Sequence, residues 1–228
     1  MIPGSDHEDW RGPVADELAP APVTATTPRF RGAIWEVRTD RVTLNGDDVD
    51  RDLIVHPGAV AIIALDHAER VYLLRQYRHP VGMMLFEPPA GVMDRAGEAP
   101  LLTAQRELVE EAGLVAGEWH TLIDFLTTPG SSSEAIRIML ARDVSPAPGG
   151  RIVTGEAEEV SLPGAWVPLE EAVRLVMTGR LLNPSSVVGI LATAAARDSG
   201  WSTLRSADEP WELRDELLAS GRVFTFGR

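Results

Sequence analysis

The segment EPPAGVMDRAGEAPLLTAQRELVEEAGL, residues Glu87 to Leu114, carries three carboxylates within five positions near its end and then stops at a glycine. Pro100 suits the first turn of a helix and Gly113 the position just past its end, so a helix is predicted over Pro100 to Ala112. At about 100° per residue, Glu107, Glu110 and Glu111 share one side, while Leu101, Leu102, Leu108, Val109 and Ala112 cover the other. Glu107 and Glu111 lie one turn apart, a like-charge spacing that costs a few tenths of a kcal/mol in a bare helix. Arg106 relieves part of this by pairing with Glu110. From the residues alone two readings stand: a solvated acidic face, or hard oxygen donors for a divalent cation such as Mg²⁺ or Mn²⁺.

Ahead of the helix, Gly91 to Gly97 forms a tight loop, and Met83 to Glu87 reads as a strand feeding it. Strand, loop and acidic helix together resemble the signature of the Nudix hydrolase family. Gly91, Glu98, Arg106, Glu107, Leu108, Glu110, Glu111, Gly113 and Leu114 take its places. Six residues separate Gly91 from Glu98 where the usual pattern has five. The extra residue falls in the loop, so it is expected to bulge outward and leave the carboxylates undisturbed.

Composition sets the wider frame. The chain has 228 residues, 44% of them hydrophobic, enough for one substantial core. Residues 1–28 hold five prolines among Asp, Glu, Ala and Thr without sustained period and read as a disordered tail. Residues 29–197 are assigned to the catalytic domain, and 198–228 to a C-terminal extension of unassigned role. No long apolar run suggests a membrane span, and the N-terminus lacks a basic segment followed by an apolar one, so a cytoplasmic protein is expected. The chain has no cysteine, which rules out disulfides and thiolate chemistry. A net charge of −13 argues against binding a nucleic-acid backbone.

Outward from the signature, strands are predicted over Ala33–Val37, Arg41–Leu44 and Asp52–His56, with Asn45-Gly46 as a hairpin turn. A second hairpin, Ala59–Leu65 with Val71–Tyr77, flanks a polar turn, and its first arm is apolar enough for a central strand buried on both faces. Further strands are predicted over Trp119–Leu126, Ala135–Ala141 and Ala165–Pro168. Helices are predicted over Glu170–Thr178 and Ser185–Arg197, with one more near Trp211–Ala219.

Beyond the signature, residues 29–197 resemble the ADP-ribose pyrophosphatase branch of the family, through Gln76-Tyr77-Arg78-His79, Phe86-Glu87-Pro88-Pro89-Ala90-Gly91 and Thr128-Pro129-Gly130-Ser131 with Glu134. The resemblance implies an α/β Nudix sandwich, α/β/α in layers with a mixed sheet. It also implies a homodimer that exchanges an N-terminal β-hairpin region, and Mg²⁺- or Mn²⁺-dependent hydrolysis of ADP-ribose to AMP and ribose 5-phosphate. Another diphosphate, such as a GDP-sugar or a dinucleotide, and a ligand-sensing domain without turnover are the alternatives.

The same resemblance assigns roles. Glu107, Glu111 and the Ala90 carbonyl hold metal, with Glu110 a further ligand or supporting acid. Arg78 faces the leaving phosphate, although a surface charge at a strand end is the other reading of it. In the acidic run 156–160, Glu156 matches the base and Glu158 an additional metal ligand, although Glu158 could equally be the base and this run also reads as a solvated loop. Trp35 stands beside positions where relatives stack aromatic rings on adenine, unless it is simply core. Arg51 and Asp52 reach substrate from the partner subunit, and His56 stands where some relatives carry arginine. Thr128 and Glu134 line the terminal ribose.

Overall fold

The computed structural model describes residues 10–151 and 162–226. Its centre is a mixed five-stranded sheet in the order β11-β8-β9-β4-β7, formed by β4 (Ala59–Ala64), β7 (Ala90–Val92), β8 (Leu114–Leu126), β9 (Ala135–Pro146) and β11 (Arg205–Ser206). β4 runs parallel to β9, from Ala59 opposite Ile136 to Ala64 opposite Ala141, and antiparallel to β7. Side chains alternate across a strand, and β4 uses both faces. Ala61 and Ile63 join the core that includes Ile138, Leu140, Leu169 and Ile190. Val60, Ile62 and Ala64 join the opposite core, with Met139, Ala104, Leu108 and Trp211. The continuous apolar run therefore marks a doubly buried strand, as its sequence predicts.

Two helical layers close those faces. Helix α1 spans Pro100–Ala112 and buries Thr103, Ala104 and Leu108. It stops where Gly113 turns left-handed (φ 63°, ψ 31°), its N–H donating to the Leu108 and Val109 carbonyls. On the other face lie α2 (Leu169–Met177) and α3 (Pro184–Asp198). Asn183 caps α3, its side chain accepting from the Ser186 N–H at 3.0 Å. The Ser186 hydroxyl donates to the Phe86 carbonyl at 2.8 Å, tying α3 to the strand before the signature loop.

Two smaller sheets flank this body. β5 (Arg70–Arg78) sits between β10 (Gly164–Pro168) and β6 (Met83–Glu87), and β2 (Glu36–Leu44) between β1 (Val23–Arg31) and β3 (Asp47–Val55). Four expectations are corrected here. Ala59–Leu65 and Val71–Tyr77 do not pair along their length as a hairpin: a bridge at Leu65 and Val71 and the Asp66 N–H donating to the Arg70 carbonyl close the turn, after which β5 joins a different sheet. The longer apolar partner on β9 outcompetes the local one. Val23 to Pro28, read as tail, is strand, because β1 finds its hydrogen bonds on β2 rather than in its own pattern. Ala33 to Trp35 is the turn joining β1 to β2. β3 begins at Asp47, not Asp52.

The C-terminal extension packs onto the body through α4 (Glu212–Ala219) and a buried arginine. Arg137 is 1% exposed in the middle of β9 and pairs with Asp124 directly across on β8, at 2.8 and 3.0 Å. It also donates to the carbonyls of Glu209 and Pro210 and lies 5.1 Å from the Trp211 ring centre. Further along, Phe224 N–H donates to the His56 carbonyl, Arg38 to the Gly221 carbonyl and Arg31 to the Thr225 carbonyl.

Candidate active site

The acidic face of α1 rests against β7. Glu111 accepts from the Ala90 N–H at 2.8 Å, and the Glu107 carboxyl fills the space where a side chain on residue 91 would begin. Only glycine at 91 allows α1 to come this close. Arg106 is the hub: it donates to Glu107 Oε1 at 2.6 Å, Glu110 Oε2 at 3.0 Å and Glu98 Oε2 at 3.2 Å, with Asp94 Oδ1 at 3.5 Å. It relieves more of the repulsion than the expected single pair with Glu110. Burial works against its charge, but the hydrogen bonds and charges of Glu98, Glu107 and Glu110 hold its pKa above the ordinary value. Glu98, which also accepts from Thr103 at 2.8 Å, is held below its ordinary value by Arg106 and Thr103 despite the cost of burial.

Glu107 is the exception. Burial pushes its carboxyl up to about 7, Glu110 and Asp94 add to the push, and Arg106 offsets it only in part. Six acidic or basic side chains thus meet at one end of the sheet with positive charge in deficit. Among the described residues, no three acidic or histidine side chains are gathered closely enough to hold an ion, since Arg106 engages Glu107 and Glu110 while the Ala90 N–H engages Glu111. The donors nevertheless fit a hard divalent cation, being carboxylate oxygens whose charge is under-compensated by protein groups. In the inserted loop Asp94 to Gly97 is exposed, but Asp94 turns back to Arg106 and adds its charge to the carboxylate group.

A second group forms where β3 ends. Gly58 N–H donates to His56 Nδ1 at 3.2 Å, which leaves the proton of the neutral ring on Nε2, 3.6 Å from Glu134 Oε1. Thr127 donates to Glu134 Oε2 at 2.7 Å. Burial lowers the His56 pKa, and Glu134 only partly restores it. The structure thus brings together His56 and Glu134, and it adds Thr127, whose only mark in the sequence is its place beside Thr128. The carbonyl of Thr128 holds the turn by accepting from Ser131 and Ser132 N–H.

The remaining candidates have partners of their own. Arg78 is clamped by buried Glu87 through contacts of 2.9, 3.1 and 2.6 Å, so the strand-end arginine is oriented by an acid the sequence reading did not single out. Trp35 lies in a turn rather than a strand, packed on Phe30 with ring centres 5.6 Å apart. Arg51 is exposed and donates to the Asp50 carbonyl, while Asp52 accepts from Thr39. Glu156 and Glu158 lie outside the described residues.

The α1 face, the glycine loop and the layered sheet define a class, and the chain belongs to it: residues 55–184 match the NUDIX domain family. The chain is 40% identical over 193 residues to an ADP-ribose pyrophosphatase of Mycobacterium tuberculosis, covering 84% of this chain and 91% of that one. It is 32% identical over 162 residues to a methanol dehydrogenase activator of Bacillus methanolicus, covering 71% and 85%. Among solved structures, an ADP compounds hydrolase shares the fold with a TM-score of 0.67 at 20% identity, covering 82% of this chain and 99% of that chain.

Proposed function

We propose that this Nudix hydrolase cleaves the diphosphate of ADP-ribose, giving AMP and ribose 5-phosphate. The observation that carries the reading is the acidic face of α1 held against Ala90 and Gly91, in a chain that matches an ADP-ribose pyrophosphatase over 84% of its length. Divalent metal ions are a general need of Nudix hydrolases, and Mg²⁺ or Mn²⁺ suits these oxygen donors. Glu107, Glu111 and the Ala90 carbonyl would hold the metal, with Glu110, and Glu158 from the 156–160 run, as further acids. When bound, it supplies Lewis-acid stabilisation of the diphosphate and a bound water of lowered pKa.

The chain's own residues do the rest. Glu156 takes the proton of the attacking water. Arg78, oriented by Glu87, donates to the phosphate that leaves. Glu134, held from two sides by His56 and Thr127, accepts from hydroxyls of the terminal ribose beside Thr128. Trp35 stacks on the adenine, a contact of roughly 1–3 kcal/mol by analogy with base–aromatic stacking. Arg51 and Asp52 reach the substrate of a second copy in a homodimer. The domain is assigned to residues 29–197, with β1 extending it back to Val23 and the extension packed on it through α4 and Arg137, and the enzyme to the cytoplasm.

A panel of ADP-ribose, diadenosine diphosphate and GDP-mannose, each assayed with Mg²⁺ and with Mn²⁺ and with products identified, tests this. ADP-ribose should be turned over fastest, to AMP and ribose 5-phosphate. Preference for another member would favour the second reading, a different nucleoside diphosphate derivative, for which His56 in place of an arginine is the supporting observation. Absence of turnover for every member would point to a ligand-responsive protein.

A further inference from the structure

The C-terminal extension does more than cover the sheet. Between it and the signature loop, residues 93–101, lies a cleft of about 690 Å³, within the range of small-molecule sites. Arg214 on α4 lines it. Its Nε donates to the Pro57 carbonyl at 3.3 Å, and its stem would touch a side chain placed at Gly58, so the guanidinium is anchored at its base. Among the described residues, neither terminal nitrogen makes a hydrogen bond and no carboxylate stands within ion-pair distance of it. Burial depresses its pKa, with Asp215 only partly restoring it. A protein-anchored fork with free N–H groups matches the geometry of a phosphate or carboxylate.

The other charges of the cleft sort into matched and unmatched. Asp94 and Glu98 are engaged by Arg106, Glu98 also by Arg95, and Glu209 by Arg205. Asp208 and Asp215 are exposed and have no ion pair among the described residues. They are acceptors suited to hydroxyl donors. Val223, Leu218 and the ring of Phe226 supply apolar wall, the last two 46% and 37% exposed.

We propose that this cleft is a second ligand site, separate from the α1 carboxylates, for a nucleoside monophosphate. The phosphate sits on the Arg214 fork, sugar hydroxyls face Asp208 and Asp215, and the base lies against Phe226, Leu218 and Val223. A free oxyanion would use only the first of these contacts.

The test is calorimetric titration of the full chain with AMP in EDTA, beside inorganic phosphate and adenosine as separate probes. Wild type should bind AMP, and Glu107→Gln/Glu111→Gln should keep that binding, since it does not depend on the α1 face. Arg214→Gln should weaken AMP binding roughly tenfold or more, as expected for losing a charge-assisted fork, while leaving turnover of the diphosphate substrate unchanged. Phe226→Ala, at an exposed site that does not threaten folding, should weaken AMP and adenosine but not phosphate. Unchanged AMP affinity in both Arg214→Gln and Phe226→Ala would overturn the proposal, as would loss of all AMP binding in the α1 double variant. Equal affinity for phosphate and AMP would reduce the site to an oxyanion contact and overturn the nucleotide assignment.

Discussion

At the scale of single residues, the acidic cluster separates chemistry from packing. Glu111→Gln keeps an oxygen that can accept from the Ala90 N–H, so the fold should persist while hydrolysis falls roughly a hundredfold or more, the scale on which losing one group that stabilises developing charge acts. Hydrolysis within a few-fold of wild type, measured under saturating metal, would remove Glu111 from the chemistry. Glu107 makes a second prediction. Its folded-state pKa of about 7 lies above the usual carboxyl value, so the folded protein binds this proton more tightly than the unfolded chain. Its contribution to stability is then present below the unfolded pKa, about 4.3, and is lost as pH rises through about 7. In EDTA, the wild-type denaturation midpoint should fall more between about pH 5 and pH 8 than that of Glu107→Gln. Parallel curves for the two proteins would show that Glu107 titrates like an exposed acid. Sequence alone made Glu107, Glu110 and Glu111 conspicuous through their spacing. It did not reveal Glu87 or Thr127, because each acts on a candidate nine or seven residues away through a fold-dependent contact.

At the scale of elements, local signals and distant partners divide what the sequence discloses. Helix α1 was legible from Pro100 to Ala112 because proline, periodicity and Gly113 all act within a few residues. The pairing of β4 with β9 was not, since Ala59 and Ile136 meet from opposite sides of the signature, and a hairpin is the default when only local spacing is visible. β1 escaped notice because its nine residues are exposed throughout and show no buried face. The extension was unreadable for a related reason: one arginine inside the apolar run of β9 holds it by donating to the carbonyls of Glu209 and Pro210. Arg137→Met should therefore cost about 3 kcal/mol or more, as losing one partner of a buried pair does, and should expose the extension to proteolysis near residue 207. Adding Asp124→Leu should recover part of the loss in denaturant unfolding, since an apolar pair is better tolerated than a lone charge. If Arg137→Met unfolds like wild type, the clasp contributes nothing to stability.

At the scale of the whole molecule, the three-stranded sheet β1-β2-β3 poses a problem of burial. Val42 and Val55 are its only fully buried hydrophobic side chains among the described residues. Polar links hold it together: Thr26 donates to Asp40 and Arg29 to Thr39, each at 2.8 Å, and Thr39 donates to Asp52. Three strands without an apolar face are marginal in water, and the contacts of Arg31 and Arg38 with the extension are too few to close it. Val23, Phe30 and Ile34 remain exposed, Phe30 by 56%. A second copy of the chain laid on this sheet would bury them and bring Arg51 and Asp52 toward its partner's site. Light scattering should then give about twice the 24.7 kDa of one chain, and Phe30→Asp, placing a charge in the apolar contact, should shift the population to monomer with a raised KM. A wild-type monomer at assay concentration would leave Arg51 and Asp52 no substrate to reach. A Phe30→Asp dimer as tight as wild type would instead place the interface elsewhere, on the exposed Met83, Met84 and Phe86 of β6.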